Sequence, residues 1–144
     1  MENNKKNDSP QNLPPFNDKV ILNLLDKMIW EGIKKREIKR IKRELEEYQI
    51  NRPIQKFLFG ENFSPEYIKW WIQRYPIEKI QGWEGVIKYL NQKFNQMGRK
   101  EIKDRSTFWR WRKYKGLPVI NDKNQIKSAT TLLDLWLCRE ILKK

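Results

Sequence analysis

The stretch Ser106–Pro118, STFWRWRKYKGLP, admits few structures. It contains no glycine or proline before Gly116, and just ahead stands Asp104, whose carboxylate can accept the free amide protons of a first helical turn. Gly116 supplies a stop and Pro118 forbids continuation, so the segment reads as one helix capped by Asp104 and running to Tyr114. Wound into a helix, the alternating rings and cations separate into two faces. Phe108 and Trp111, three apart, share one side with Thr107. Arg105, Ser106, Trp109, Arg110 and Lys113 share the other, with Arg112 and Lys115 at the border. A helix this short does not hold by itself. Its apolar side needs partners, and Val86, Leu90, Leu117 and Trp136 are the expected ones.

The neighbouring segments carry similar punctuation. GWEGVIKYL sets Trp83, Val86, Ile87 and Leu90 at helical spacing. LPVINDKNQIKS reads as two short strands around a turn at Asn121–Asn124, and TTLLDLWLCREIL as a closing helix with Leu133, Trp136, Leu137 and Ile141 on one side. Upstream, Ser64, Pro65 and Glu66 start a helix that Pro76 stops. The adjacent Trp70 and Trp71 of that helix are both assigned to the core. Before it, Pro53 breaks the pattern and Gly60 ends the short apolar piece IQKFLFG.

From Asp18 to Tyr48 there is no proline and the one glycine is Gly32. Apolar residues recur from Ile21 to Ile33, then at Ile38, Ile41, Leu45 and Tyr48, in steps of three and four. The pattern predicts a long amphipathic helix, capped by Asp18, that breaks near Gly32 or protrudes. Its basic middle is either solvated, or pairs with a second copy or lies along phosphates. Residues 1–17 lack the apolar mass to offset chain entropy and read as a disordered arm. The expected division is therefore an arm at 1–17, a helical region at 18–76 for dimerisation or partner contacts, and a unit at 77–144.

Charge narrows the function classes. Lysine and arginine number 31 against 18 acidic residues, a formal net charge of +13. Such a field draws in polyanions, nucleic acid first and an anionic membrane surface second. No apolar run reaches the roughly 18–20 residues of a membrane span, and the N-terminus has no apolar signal segment. The expected location is the cytoplasm, nucleoid-associated when bound to DNA. With Cys138 the only cysteine and no histidine, an internal disulfide, a Cys/His zinc site and the commonest general base are all excluded. Glu44, Glu46 and Glu47 look like an exposed helix face. The expectation is no enzyme, no cofactor and no metal; a carboxylate–metal nuclease is the remote alternative.

The order helix, turn, helix, hairpin, helix carries Tyr89-Leu90, Thr107, Arg110-Trp111, Gly116-Leu117-Pro118 and Leu133-Asp134-Leu135-Trp136-Leu137. With these marks it resembles the winged helix-turn-helix of the MerR/excisionase superfamily, which includes small DNA-binding proteins of phages and mobile elements. The resemblance covers about the last 65 residues. One departure is NQKFNQMGRKEI between Leu90 and Asp104, where the family's turn is tight. Either the first helix is longer or the turn is an extended basic loop carrying Arg99, Lys100 and Lys103.

The resemblance implies a mainly α fold: a winged helix-turn-helix with a small β-hairpin, preceded by a long N-terminal helix and a short helical segment. It implies sequence-specific binding to double-stranded DNA, by a transcription regulator or an excisionase-like architectural protein. The start of the second helix would enter the major groove, bringing Arg105 and Ser106, with Trp109 and Arg110 one turn on. Arg105 and Arg110 are the base-reading candidates, because arginine can give guanine two parallel hydrogen bonds. Lys113, Lys115, Lys103, Arg99, Lys123 and Lys127 suit phosphates, and Lys100 and Arg112 complete the interface. Trp109 either packs on the preceding loop or lies against the sugar–phosphate edge. Two other readings stay open. One is a small-terminase-like packaging subunit that assembles rings through the long helix. The other is a single-strand or RNA binder that stacks bases on Trp70, Trp71 and Trp109.

Overall fold

The computed structural model describes residue 27, residues 37–48 and residues 52–143. The arm at 1–17, the Asp18 cap and the break near Gly32 lie outside the described residues. The elements are α1 (Ile38–Tyr48), α2 (Arg52–Leu58), α3 (Pro65–Arg74), a 3-10 turn (Pro76–Glu78), β1 (Lys79–Gln81), α4 (Gly82–Gln96), α5 (Arg105–Tyr114), β2 (Ile120–Asp122), β3 (Gln125–Ala129) and α6 (Thr130–Leu142). The chain is mainly helical with one small antiparallel sheet, in the order β1-β3-β2.

Local chemistry sets most boundaries. Ser64 caps α3, its hydroxyl oxygen accepting from the Tyr67 amide at 3.1 Å, with Pro65 in the first turn. Asp104 caps α5 by accepting from the Ser106 amide at 3.0 Å. At the other end of α5 the chain reverses at Gly116, φ +67°, and the Leu117 amide donates back to the Trp111 carbonyl. Pro53, read as breaking the helical pattern that ends at Tyr48, sits in the first turn of a new helix, α2, where its missing N–H leaves no bond unmade, and Arg52 before it is already helical.

The hairpin turn is tighter than Asn121–Asn124. Asp122 pairs with Gln125, leaving Lys123 and Asn124 alone in the turn at φ 53° and 65°. Two successive left-handed residues match the twist of the flanking strands. Strand β1 has no counterpart in the sequence reading. It pairs Lys79 with Ala129, Ile80 with Ser128 and Gln81 with Lys127, so β3 is central and the hairpin is anchored to the segment that leads into α4.

The interval between Leu90 and Asp104 is shared by a longer helix and a fastened loop. Helix α4 runs 15 residues, to Gln96. From within α4 the Asn91 side chain reaches the loop, donating to the Ile102 carbonyl (2.7 Å) and accepting from the Ile102 amide (2.8 Å). The Arg99 amide returns to the Phe94 carbonyl. The second half of the loop is thereby held against α4.

One core joins all these pieces. It takes Ile41 from α1, Ile54, Phe57 and Leu58 from α2, Tyr67, Ile68, Trp71 and Ile72 from α3, Val86, Ile87, Leu90 and Phe94 from α4, and Phe108 from α5. Helix α6 runs through the middle. It buries not one stripe but Leu132, Leu133, Leu135, Trp136, Leu137, Cys138, Ile141 and Leu142, because α2 covers a side that the expected stripe left bare. Helix α3 packs on β2 and β3. Residues 52–76 thus share a core with 77–143. Trp71 is 1% exposed, but Trp70 only lines the core edge, half-buried, with Arg74 over its ring at 5.9 Å. Arg139, also buried, donates to Asn62 Oδ1 and the Gly60 carbonyl, tying the α2–α3 loop to α6. No helix among the described residues is long and apolar enough to cross a membrane.

Candidate nucleic-acid interface

Helix α5 is anchored by one face and open on the other. Phe108 is 0% exposed. Trp111 is half-buried, edge-on to Phe94 (centroids 6.1 Å) and tilted on Trp136 (5.2 Å). The Trp136 indole N–H donates to the Lys115 carbonyl at 3.0 Å and so satisfies one of the free carbonyls at the helix end. On the open side Arg105, Ser106, Arg110 and Lys113 are exposed. Neither α1 nor α2 covers Arg105 or Arg110, since both side chains remain in solvent.

These side chains are not equally loose. The Arg105 guanidinium lies 5.4 Å from the Trp83 ring centroid and 5.9 Å from that of Trp109. The Arg112 guanidinium lies 5.2 Å from Trp109. Trp109 therefore sits between two arginines, half-buried, with its ring edge-on to Phe108 (5.3 Å). Arg110 donates to the Thr107 hydroxyl at 3.0 Å. Ser106 gives its hydroxyl proton to Asp104 at 2.6 Å, so toward a ligand it retains only acceptor capacity. That bond, with the Ser106 amide second, holds the Asp104 carboxyl below its ordinary value.

The lysines separate in the same way. Lys123 stands exposed in the hairpin turn. Lys127 turns back across the hairpin to Asp122 Oδ2 at 3.1 Å and is half-buried, and its hydrogen bond holds the Asp122 carboxyl down. Lys115 lies 3.8 Å from Glu140. Arg99, Lys100 and Lys103 are exposed on the loop leading to α5. The structure thus gathers Arg99–Lys103 and the outer face of α5 on consecutive segments, whereas Lys127 is spoken for by an internal ion pair.

Two residues were missed by sequence reasoning. Trp83, read only as one of four apolar residues at helical spacing, is half-buried and lies beneath Arg105. Lys69, an exposed residue of α3, is close enough to the hairpin for its charge to lower the Asp122 carboxyl. Nothing in the sequence pattern signals either contact, because each bridges separate elements. Glu44, from the acidic run, pairs with Arg40 at 3.1 Å on α1, and Glu46 and Glu47 are exposed there.

Gly116 fixes where α5 ends relative to the rest. A Cβ there would fall on Asn62 Oδ1 and within 2.9 Å of Arg139 Nη1. After it, Leu117, Pro118 and Val119 are buried, and Ser128 Oγ donates to the Pro118 carbonyl at 2.7 Å, locking the hairpin to the helix exit. Compared with known proteins, the chain matches no family model, no curated protein and no solved structure.

Proposed function

We propose that the protein binds double-stranded DNA sequence-specifically, as a transcription regulator or an excisionase-like architectural protein of a phage or mobile element. In this reading α4 and α5 form a helix-turn-helix and β2–β3 a wing, as the MerR/excisionase resemblance implies, and the protein works in the cytoplasm on the nucleoid. The observation that carries it is the outward face of α5: Arg105 and Arg110 exposed while Phe108 beneath them is fully buried. A helix of this length spans about 15 Å and is of a size that the major groove admits. The net charge of +13 supplies the long-range attraction, and Lys123, exposed in the hairpin turn, serves as a phosphate contact.

The single-strand alternative has less support. Trp71 is buried, Trp70 and Trp109 are half-buried, and a guanidinium already lies over each of those two rings, where a base would have to compete with it. The test is selection from random duplexes by gel shift, run beside light scattering. A defined duplex motif, bound more tightly than either of its single strands, is the expected result. Equal binding of all duplexes, or preference for single strands, counts against the proposal. A mass of many subunits would favour the packaging role and its ring.

A further inference from the structure

We infer that Trp83 and Trp109 hold Arg105 in place as the guanine-reading side chain of α5; this rests on the duplex-binding reading above. The three arginines of the helix differ in what restrains them. Arg110 is hydrogen-bonded to Thr107, one turn back on its own helix. Arg112 is half-buried over Trp109. Arg105 is exposed, opens the helix, and lies near two rings at 5.4 and 5.9 Å, one of them from the preceding helix.

That placement suits base reading for three reasons. The N-terminal residues of a second helix are the ones that reach base edges in this docking geometry. A guanidinium restrained by ring contacts keeps its N–H fork free to offer both donors to guanine O6 and N7. Restraint before binding also reduces the rotamer entropy lost on contact. Because Trp83 belongs to α4, the position of Arg105 is tied to how α4 and α5 cross. Trp83 and Trp109 are thus positioning residues, without contact to DNA being required of either.

The experiment uses the full chain and the duplex enriched by selection. Each guanine is exchanged in turn, and affinities of wild type, Arg105→Ala, Trp83→Leu and Trp83→Phe are compared. Wild type is expected to prefer guanine at one position by about 5- to 150-fold. Arg105→Ala and Trp83→Leu should each cut that preference to about twofold or less, at that same position, while Trp83→Phe, which keeps an aromatic face, retains most of it. Trp83→Leu removes no charge, so its affinity for unrelated duplex and its salt dependence should stay within about twofold of wild type. A guanine preference that survives Trp83→Leu, or a loss spread evenly over every position, overturns the inference.

Should Trp83→Leu fail to fold, the exposed change Arg105→Lys decides instead. It keeps the charge but not the fork, and undiminished guanine preference in that variant overturns the inference equally. Failure of the two ideas looks different. If wild type enriches no duplex, the DNA reading falls and this inference with it. If a duplex is enriched but no guanine in it depends on Arg105, only the inference falls.

Discussion

The Tyr89 hydroxyl donates to Asp134 Oδ1 at 2.9 Å, and Lys93 Nζ lies 4.0 Å from the same oxygen. Lys93 also sits over the Tyr89 ring at 5.1 Å. The three residues join α4 to α6 across 45 positions of sequence, at the edge of the core that supports α5. Burial first, and the Asp134 charge second, push the Tyr89 phenol well above its ordinary value, so it remains a donor at any working pH.

Tyr89→Phe removes that donor without changing the ring. A hydrogen bond to a charged group in a partly buried site is worth about 1–3 kcal/mol, and the loss should appear as a lower urea midpoint with unchanged slope. Duplex affinity of the folded variant should not move, because the lost bond joins α4 to Asp134 of α6 and is not made to the open face of α5. Asp134→Ala should cost more than Tyr89→Phe, since it also deprives the nearly buried Lys93 of a neighbouring carboxylate. The reverse order would show that the phenol, not the carboxylate, anchors the cluster.

Acid should weaken the α5 cap. The Asp104 and Asp122 carboxyls are both held below their ordinary value, by Ser106 and by Lys127 respectively. A carboxylate whose folded value is depressed contributes stability that is fully present above its unfolded value. That contribution is lost as pH falls through the folded value, here below about pH 4. Asp104→Asn keeps an acceptor for the Ser106 amide but does not titrate, so its melting temperature should fall less between pH 5 and pH 2 than that of wild type. Identical slopes would remove the cap from the list of acid-sensitive elements.

Gly116→Ala tests the close approach at the end of α5. At φ +67° any other residue carries left-handed strain of about 1–2 kcal/mol, and the added Cβ also displaces Asn62. Destabilisation should therefore exceed the strain alone. In an Asn62→Ala background the blocking amide is gone and the penalty of Gly116→Ala should shrink, a coupling that a double-mutant cycle measures directly. Simple additivity would mean that the loop gives way without cost.

How much of this was legible beforehand follows from the range of each interaction. The ends of α3 and α5 were readable because Ser64, Asp104 and Gly116 act within a few residues of themselves. Strand β1 was not, since three residues with Ile80 as their lone apolar member make no pattern, and its partner β3 lies far along the chain. The stripe on α6 was underestimated because burial of its other side depends on α2, which only tertiary packing brings there. The inner and outer faces of α5 came from periodicity, with Phe108 buried and Arg105 exposed as the spacing required. The contact of Arg105 with Trp83 did not, because periodicity orients each helix about its own axis and says nothing about how two helices cross. Lys127 was grouped with Lys123 for want of a register: once Asp122 pairs with Gln125, Lys127 is brought close enough to reach the Asp122 carboxylate.

That difference between two hairpin lysines gives the last prediction. Lys123 is exposed in the turn, whereas Lys127 is held at 3.1 Å by Asp122. If the hairpin touches phosphates, Lys123→Ala should weaken binding to all duplexes alike, because a phosphate contact positions without specifying. It should also make the salt dependence shallower by about one contact. Lys127→Ala removes a charge that is already neutralised locally, so the salt slope should stay near its wild-type value, about −5 on logarithmic axes for about six phosphate contacts. Its effect should fall on hairpin stability instead, and Asp122→Asn should reproduce it. Salt titrations of the three variants on one duplex separate these outcomes: equal slopes for Lys123→Ala and wild type would place the hairpin away from the DNA, and a shallower slope for Lys127→Ala would mean that the ion pair opens on binding.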